Sequence, residues 1–340
     1  MKPPRPIEII GGGLAGLSLG LALRRAGVAV TVHEAGEYPR HRVCGEFITG
    51  LDAHTIARLG IAPFLSDALR HEEVGWSIKQ KLTRTQRLPQ PALGISRHRL
   101  DARLADALVA AGGVLHTHSR SAAVVAGEGR VIATGKRPTP SPWLGLKIHA
   151  LDLPLTRDLE IHLGTHAYVG LARVDAGRVN VCGLFQRRDV RGQGLTLLLG
   201  YLRTAGLGDL ATRLAATATD PASFCAIAGV GFNARLRADD RLRLGDAGAL
   251  IPPFTGNGMA MAFQSAAIAL DPLISYAEGR LTWSAAVREI QTGLRRRFRL
   301  RLAAAAVLHP FLLDPPGQRW LAAFTRADLL PLRPLYAALH

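Results

Sequence analysis

The sequence predicts an α/β fold: a dinucleotide-binding βαβ domain assembled from separated pieces, an inserted strand-rich domain and a C-terminal helical tail. Three observations carry this. A short apolar run, Ile7–Ile10, ends directly in three glycines and is followed by a helical pattern. A second glycine-rich segment stands far downstream, at residues 242–266. Between them, residues 144–185 alternate in short apolar runs such as LEIHLG, AYVGLARV and RVNVCGLF, which is the period of strands.

Composition sets the outer limits. The 340 residues, 48% hydrophobic and 20% charged, are enough for one large core or two cores sharing a cleft. Lys plus Arg number 42 against 26 Asp plus Glu, a formal charge of +16. That excess favours phosphates, acidic ligands or anionic membranes without choosing among them. The basic residues are scattered, with concentrations at Arg84–Arg103 and Arg295–Arg301, and no zinc-finger spacing or recognition-helix pattern accompanies them. Nucleic acid is therefore not expected as a partner. Three cysteines, Cys44, Cys182 and Cys225, make neither a disulfide framework nor a CxxC pair, so no metal site is expected. The N-terminus has the wrong order of features for a signal peptide, and the apolar runs fall short of a spanning helix. The expectation is a cytoplasmic protein, with peripheral contact at the inner face of the membrane left open.

In chain order, Ile7–Ile10 reads as the first strand and LSLGLALRRAG as a helix stopped by Gly27. Val28–Val32 reads as a second buried strand closing at His33-Glu34. Residues 37–50, EYPRHRVCGEFITG, form a loop dense in functional side chains. LDAHTIARLG and DARLADALVAAG read as helices and Val114–His116 as a strand. A hairpin is expected over 124–135, with Gly127-Glu128-Gly129 at its bend. Asp175–Arg178 reads as a hairpin turn, and a helical stretch covers roughly 193–217. Leu242–Gly245 returns to strand, and a long helix starts at Gly258. The tail reads as helical and basic, broken at His309-Pro310 and again at Asp314–Gly317. Residues 1–75, 96–140 and 226–275 are thus expected to form a discontinuous nucleotide-binding domain. Residues 76–95 and 141–225 are expected to form the substrate domain, and 276–340 a helical region.

Gly11 permits a tight turn after the first strand, Gly13 lets backbone approach a pyrophosphate, and Gly16 lets the helix pack on the sheet. The helix start at Leu14-Ala15 offers unpaired N–H groups to negative charge. Glu34, followed by Ala35 at the end of the next strand, can accept hydrogen bonds from an adenosine ribose. Strand, turn, helix, strand and acid in that order make a Rossmann-like fingerprint, but the fingerprint alone does not separate FAD from NAD. The second segment, LRLGDAGALIPPFTGNGMAMAFQSA, does. Asp246 is placed for the ribityl chain of a flavin. Pro253 and its neighbour stiffen a loop, and Gly256, Asn257, Gly258 and Met259 open a helix whose N–H groups could face the flavin's pyrimidine edge.

Together, GGGLAGLSLGLALRRAG, CGEFI at 44–48, ISRHRLDARLADAL at 95–108 and GDAGALIPPFTGNGMAMAFQSA at 245–266 resemble the FAD-dependent oxidoreductases of the p-hydroxybenzoate hydroxylase fold (GR2 type), with a closer likeness to geranylgeranyl-reductase-like proteins. The resemblance runs over roughly residues 7–275. It implies that Glu34 binds the adenosine ribose, that Arg99 lies near the phosphates or ribityl chain, and that Asp246 contacts the flavin. Arg42 and the Cys44-Gly45-Glu46 turn would line the cleft. One departure stands out: where relatives carry Asp-Gly, this chain has Thr134-Gly135, which leaves its electron source (NADPH, NADH or another external donor) open. The WxWxIP signature of halogenases is missing as well.

Cys44 could be a proton donor, a nucleophile or a packed apolar residue, and Glu46 could place a proton or cap a helix. Lys147 with His149, and His166 with Tyr168, pair up by strand alternation as candidate substrate contacts. The first expectation is reduction, or the reverse desaturation, of a carbon–carbon double bond in a hydrophobic or prenyl-like substrate. The second is hydroxylation of an aromatic or polyketide-like small molecule through a C4a-hydroperoxyflavin. Residues 294–313, LRRRFRLRLAAAAVLHPFLL, could lie on an anionic bilayer or pack on the cofactor domain.

Overall fold

Two sheets organise the protein, and the site lies where they face each other. A computed structural model describes residues 3–78, 80–120, 127–136, 139–231, 241–249, 251 and 256–326. The expected hairpin arm at 124–126 and Pro253 lie outside the described residues.

The first sheet is parallel and five-stranded. It contains β1 (Ile7–Ile10), β2 (Val30–His33), β6 (Val114–His116), β7 (Arg130–Ile132) and β13 (Leu242–Arg243) in the order β13-β7-β1-β2-β6. Residues 130–132 therefore run beside β1 as a parallel strand. Helix α1 (Leu14–Arg25) is buried over Leu14–Leu23 because it is covered on both sides, by the sheet and by α7 (Gly258–Ala277). An all-round apolar sequence is what such a position requires. Helix α7 has the length and composition of a membrane-crossing helix, a property not expected from the sequence. It nevertheless buries Met259, Phe263, Leu270 and Leu273 in the same core as α1.

The second sheet has eight strands in the order β12-β8-β11-β10-β9-β4-β5-β3. They are β3 (Phe47–Ile48), β4 (Leu69–Ile78), β5 (Lys81–Gly94), β8 (Trp143–Leu151), β9 (Leu159–Gly164), β10 (Ala167–Arg173), β11 (Arg178–Gln186) and β12 (Thr219–Ala228). It begins earlier than expected, since β4 places residues 69–75 in this sheet. Its outer face buries Leu146, Ile148, Val169 and Val181 under α5 (Gly194–Thr204) and α6 (Gly208–Ala215). The β10–β11 turn has Ala176 and Gly177 at φ 58° and 71°, the left-handed pair of a two-residue hairpin. Asp175 of that turn accepts from the Ser96 N–H at 2.9 Å, tying the second sheet to the start of α4 (Arg97–Ala110).

Helix α8 (Trp283–Leu313) spans both parts. Val287, Ile290, Leu294, Phe298 and Leu302 pack in the first core, while Leu312 and Leu313 reach the inner face of the second sheet. The expected break at His309-Pro310 does not occur. Pro310 sits in the last turn, where its missing N–H deprives only the solvent-exposed Ala306 position, and the helix ends at Asp314 instead. Helix α9 (Pro315–Arg326) follows.

Candidate functional site

The carboxyl ends of β2, β1, β7 and β13 lie side by side and carry the glycine turns and the acids. At β1, Gly11 has φ 114°, and a Cβ there would stand 2.3 Å from the Ala133 carbonyl oxygen. A Cβ on Gly16 would stand 2.0 Å from the Gly11 carbonyl oxygen. Both glycines are forced by close backbone approach. Gly13 differs: its φ is −88°, and a Cβ would meet nothing within 4 Å. It caps α1 without a side-chain bond, so no side chain caps the first N–H groups at the positive end of the helix, and the space beside Gly13 is open. At the end of β2, Glu34 is buried, and its carboxylate accepts from the Gly12 N–H at 2.8 Å and the Gly36 N–H at 3.1 Å. Arg40 and Arg42 stand 3.4 and 3.6 Å from it. Ala35 beside it is exposed. Arg42 therefore serves the Glu34 end, and also donates to Asp101 at 3.0 Å.

At the far end, Asp246 lies in a 3-10 turn (Gly245–Ala247) just after β13 and reaches solvent. Burial of its surroundings pushes its pKa up, only partly offset by Arg97 and Lys136, to about 6. Helix α7 starts beside it. Gly256 has φ 67°, and a Cβ there would collide with the Phe47 ring at 2.2 Å. Asn257 caps the helix without a side-chain bond to its N–H groups, and nothing would meet a Cβ on Gly258. Met259 is buried in the first turn. Gly135, at φ 71°, is likewise open.

These features fit a dinucleotide as long as FAD. Glu34, Gly13 and Asp246 stand at the ends of β2, β1 and β13, the order in which an adenosine ribose, a pyrophosphate and a ribityl chain would follow one another, and two helix starts without side-chain caps lie near two of these ends. Arg99 does not take the place expected for it: it pairs with Asp67, which Arg103 also binds at 2.8 and 2.9 Å. Two positions earlier on α4, Arg97 faces the cleft instead. It grips Asp101 at 2.7 and 2.8 Å, and its charge acts on Cys44 and Asp246. The i, i+4 spacing of Arg97 and Asp101 was the signal that could have found it.

Cys44, Glu46, Lys147 and His149 come together. Glu46 is fully buried at φ 55°, a left-handed conformation costing about 1–2 kcal/mol for a residue with a Cβ. Its carboxylate lies 2.6 Å from His149 Nε2 and 3.4 Å from Lys147 Nζ, and accepts from the Arg97 N–H at 3.1 Å. Burial pushes its pKa up, but the His149 bond and the Lys147 charge outweigh that, and the net direction is down. Lys147 also meets His41 Nδ1 at 3.2 Å, and His41 stacks on His98 at 4.3 Å. His41, Glu46 and His149 present ligand atoms within 4.8 Å of one another, but the Lys147 ammonium is already seated between Glu46 and His41. Burial raises the Cys44 thiol pKa against the pull of Arg97, so it stays protonated at neutral pH. The Cys44 carbonyl accepts from Asn180 Nδ2 at 2.9 Å. Asn180 Oδ1 and His149 Nδ1, on paired positions of β11 and β8, are buried and have no hydrogen-bond partner among the described residues.

His166 does not join this group. It lies at φ 52° in the β9–β10 turn and meets Asp314 at 3.3 Å, at the joint of α8 and α9. Tyr168 is on the same sheet face as Lys147, but further along, against the His309 ring. With Phe47, Trp76, Trp143 and Leu184 it forms an apolar wall on the inner face. His41, His98, Asn180 and Arg97 were not singled out from sequence.

No protein-family model matches the chain. Among curated proteins, a menaquinone reductase from Mycolicibacterium smegmatis is 32% identical over 71 residues, 21% of this chain and 17% of that protein. Among solved structures, p-nitrophenol 4-monooxygenase PnpA from Pseudomonas putida DLL-E4 has a TM-score of 0.75 at 12% identity, covering 99% of each chain. HpxO from Klebsiella pneumoniae, solved with FAD and uric acid, gives 0.74 at 16% identity over 98% of this chain and 96% of its own. PqsL from Pseudomonas aeruginosa with 2-aminobenzoylacetate gives 0.71 at 17% identity over 94% and 99%. The chain has the p-hydroxybenzoate hydroxylase fold. The geranylgeranyl-reductase branch gains no specific support, and the expectation of double-bond reduction is overturned. The full-length structural likeness includes a monooxygenase, whereas the likeness to a reductase is confined to 71 residues.

Proposed function

We propose that this chain is an FAD-dependent monooxygenase that hydroxylates an aromatic or polyketide-like small molecule. One observation carries the reading: at Gly256 the strand-end trough that fits FAD borders the Phe47 ring, which belongs to the apolar cluster with Trp76, Trp143 and Tyr168 on the second sheet. Such a cleft, apolar with a few placed polar atoms, suits a ring-bearing substrate. Support also comes from the ligands bound to two structural neighbours, uric acid in HpxO and 2-aminobenzoylacetate in PqsL.

Bound in the trough and reduced by a nicotinamide or other external donor, FAD would supply the activation of oxygen. The chain's own residues do the rest. The first-turn N–H groups of α7 would hold the pyrimidine edge, and Asp246 would hold the ribityl hydroxyls. Glu46, fixed by His149, Lys147 and the Arg97 N–H, holds the Cys44–Glu46 turn in its left-handed form. Cys44 shapes the cleft as a neutral thiol. His149 Nδ1 and Asn180 Oδ1 await a polar atom, since leaving each unpaired costs about 1–3 kcal/mol.

The test is turnover with labelled oxygen. With NADPH, NADH or dithionite as reductant and a panel of phenols and polyketide-like aromatics, the expected product is one oxygen atom heavier and carries the label. Reoxidation that yields only hydrogen peroxide across the panel would overturn the reading. We also propose a cytoplasmic protein with peripheral contact at the inner face of the membrane, and the exposed side chains of α8 and α9 support the contact. Leu300, Val307, Phe311 and Trp320 are exposed on α8 and α9 beside Arg295, Arg296 and Arg299.

A further inference from the structure

The order of strand ends leaves one position unexplained. Between β1, where Gly13 offers its open cradle, and β13, which leads to Asp246, lies β7, and its outgoing residues are Ala133, Thr134, Gly135 and Lys136. These residues flank the glycine turn directly, since the Ala133 carbonyl is what a Gly11 side chain would strike. Gly135 turns at φ 71° with open space beside it. Lys136 comes next. Its ammonium is buried and, among the described residues, has no hydrogen-bond partner. A buried ammonium without a hydrogen bond is costly even with Asp246 in electrostatic range, and an anion bound beside it would relieve that cost.

We infer that Lys136 binds the diphosphate of the cofactor at its flavin-proximal end. The inference rests on the FAD reading and deepens it. The residue sits on the strand between pyrophosphate and ribityl positions, and the facing charged group is Asp246 of the 3-10 turn, with which it interacts. Burial pushes the lysine pKa down, partly offset by Asp246, to about 8. An arriving dianion raises it again, so affinity is full below about 8 and declines as pH rises through that value.

The experiment uses the full chain stripped of flavin and titrated with FAD, FMN and riboflavin by fluorescence quenching, with circular dichroism to verify folding. Lys136→Met should weaken FAD by about ten- to a hundredfold, the worth of a charge-assisted hydrogen bond. Riboflavin, which carries no phosphate, should be unaffected, and Lys136→Arg should recover most of the loss. The decline in FAD affinity above pH 8 should vanish in Lys136→Met. Equal FAD affinity and an equal pH profile in wild type and Lys136→Met would overturn the assignment while leaving the FAD reading intact. A wild-type chain that binds no FAD would overturn that reading itself.

Discussion

Glu46 is the counter-ion to two buried groups, Lys147 and His149, and it does so from a backbone conformation that disfavours it. Removing its charge would leave the Lys147 ammonium, which is fully buried, without a carboxylate partner among the described residues and facing His41. Breaking a buried pair by removing one partner costs about 3–5 kcal/mol, because the surviving charge has no solvent to return to. Glu46→Gln keeps the shape and should lose about that much stability in urea melts at pH 7. The sign with pH follows from the direction of the shift. The folded pKa lies below the ordinary value of 4.5, so the stabilisation is present above 4.5 and is lost as pH falls through the lower folded value. The gap between wild type and Glu46→Gln should therefore close in acid. A gap that persists undiminished at pH 3 would show that shape, not charge, is what Glu46 supplies. Sequence singled out Cys44, Glu46, Lys147 and His149 separately, two from a motif and two from strand alternation. It could not join them, because their contact depends on how the second sheet folds back over the first. His41 and Asn180 carried no local signal at all: each is ordinary in its own stretch and acquires meaning only through the side chain opposite it.

The glycine turn at the head of α1 makes the element-scale case, because its three glycines are required for different reasons. Gly11→Ala meets the Ala133 carbonyl at 2.3 Å from a φ of 114°, and Gly16→Ala meets the Gly11 carbonyl at 2.0 Å. Both variants should be strongly destabilised or insoluble, since neither obstacle is a movable side-chain tip. Gly13→Ala places its methyl in open space at an ordinary φ, where alanine's lower unfolded-chain entropy stabilises by about 0.4–1 kcal/mol. The flavin-free Gly13→Ala protein should melt at or slightly above the wild type and yet lose FAD binding in equilibrium dialysis. If it keeps wild-type affinity, the diphosphate does not sit there. This pattern was legible in advance, because a strand, turn and helix within one βαβ unit are local in sequence. So were the strands between residues 144 and 185 and the Asp175–Arg178 turn, whereas β3, β4, β5 and β12 of the same sheet were not. The tail was less legible: Pro310 reads as a helix stop, but its cost depends on whether the deprived carbonyl reaches water, which only the packed helix decides. Arg99 was singled out and Arg97 was not for a related reason, since two positions on a helix differ by more than half a turn of direction, and only packing tells which is buried against Asp101 and which pairs with Asp67.

At the scale of the whole molecule, the charge of +16 is spread widely, but α8 gives it a direction. Its arginines do not act alike. Arg301 is buried and donates to Gln264 at 2.9 Å, and Arg297 reaches Asp52 at 3.1 Å, so both are engaged in holding the helix to the first core. Arg295, Arg296 and Arg299 are exposed, and they border Leu300, 71% exposed, from which Val307 and Phe311 continue the same helical stripe. Trp320 and Phe324, one turn apart on α9 with ring centroids 6.2 Å apart, add a second exposed apolar surface. A cationic collar beside apolar and aromatic side chains is the composition of an interfacial membrane contact. Each arginine near an anionic bilayer contributes about 1 kcal/mol, so changing Arg295, Arg296 and Arg299 together to glutamine should reduce partitioning into phosphatidylglycerol vesicles by roughly a hundredfold. The loss should shrink at high salt, where the attraction is screened in the wild type as well. Folding should be unaffected, since none of the three touches the core, and a thermal melt checks that separately. Phe311→Ser with Trp320→Ser should instead lower binding to anionic and neutral vesicles alike, because apolar insertion does not depend on headgroup charge. Partitioning that ignores both sets of changes would leave α8 and α9 as a covering for the two sheets and nothing more.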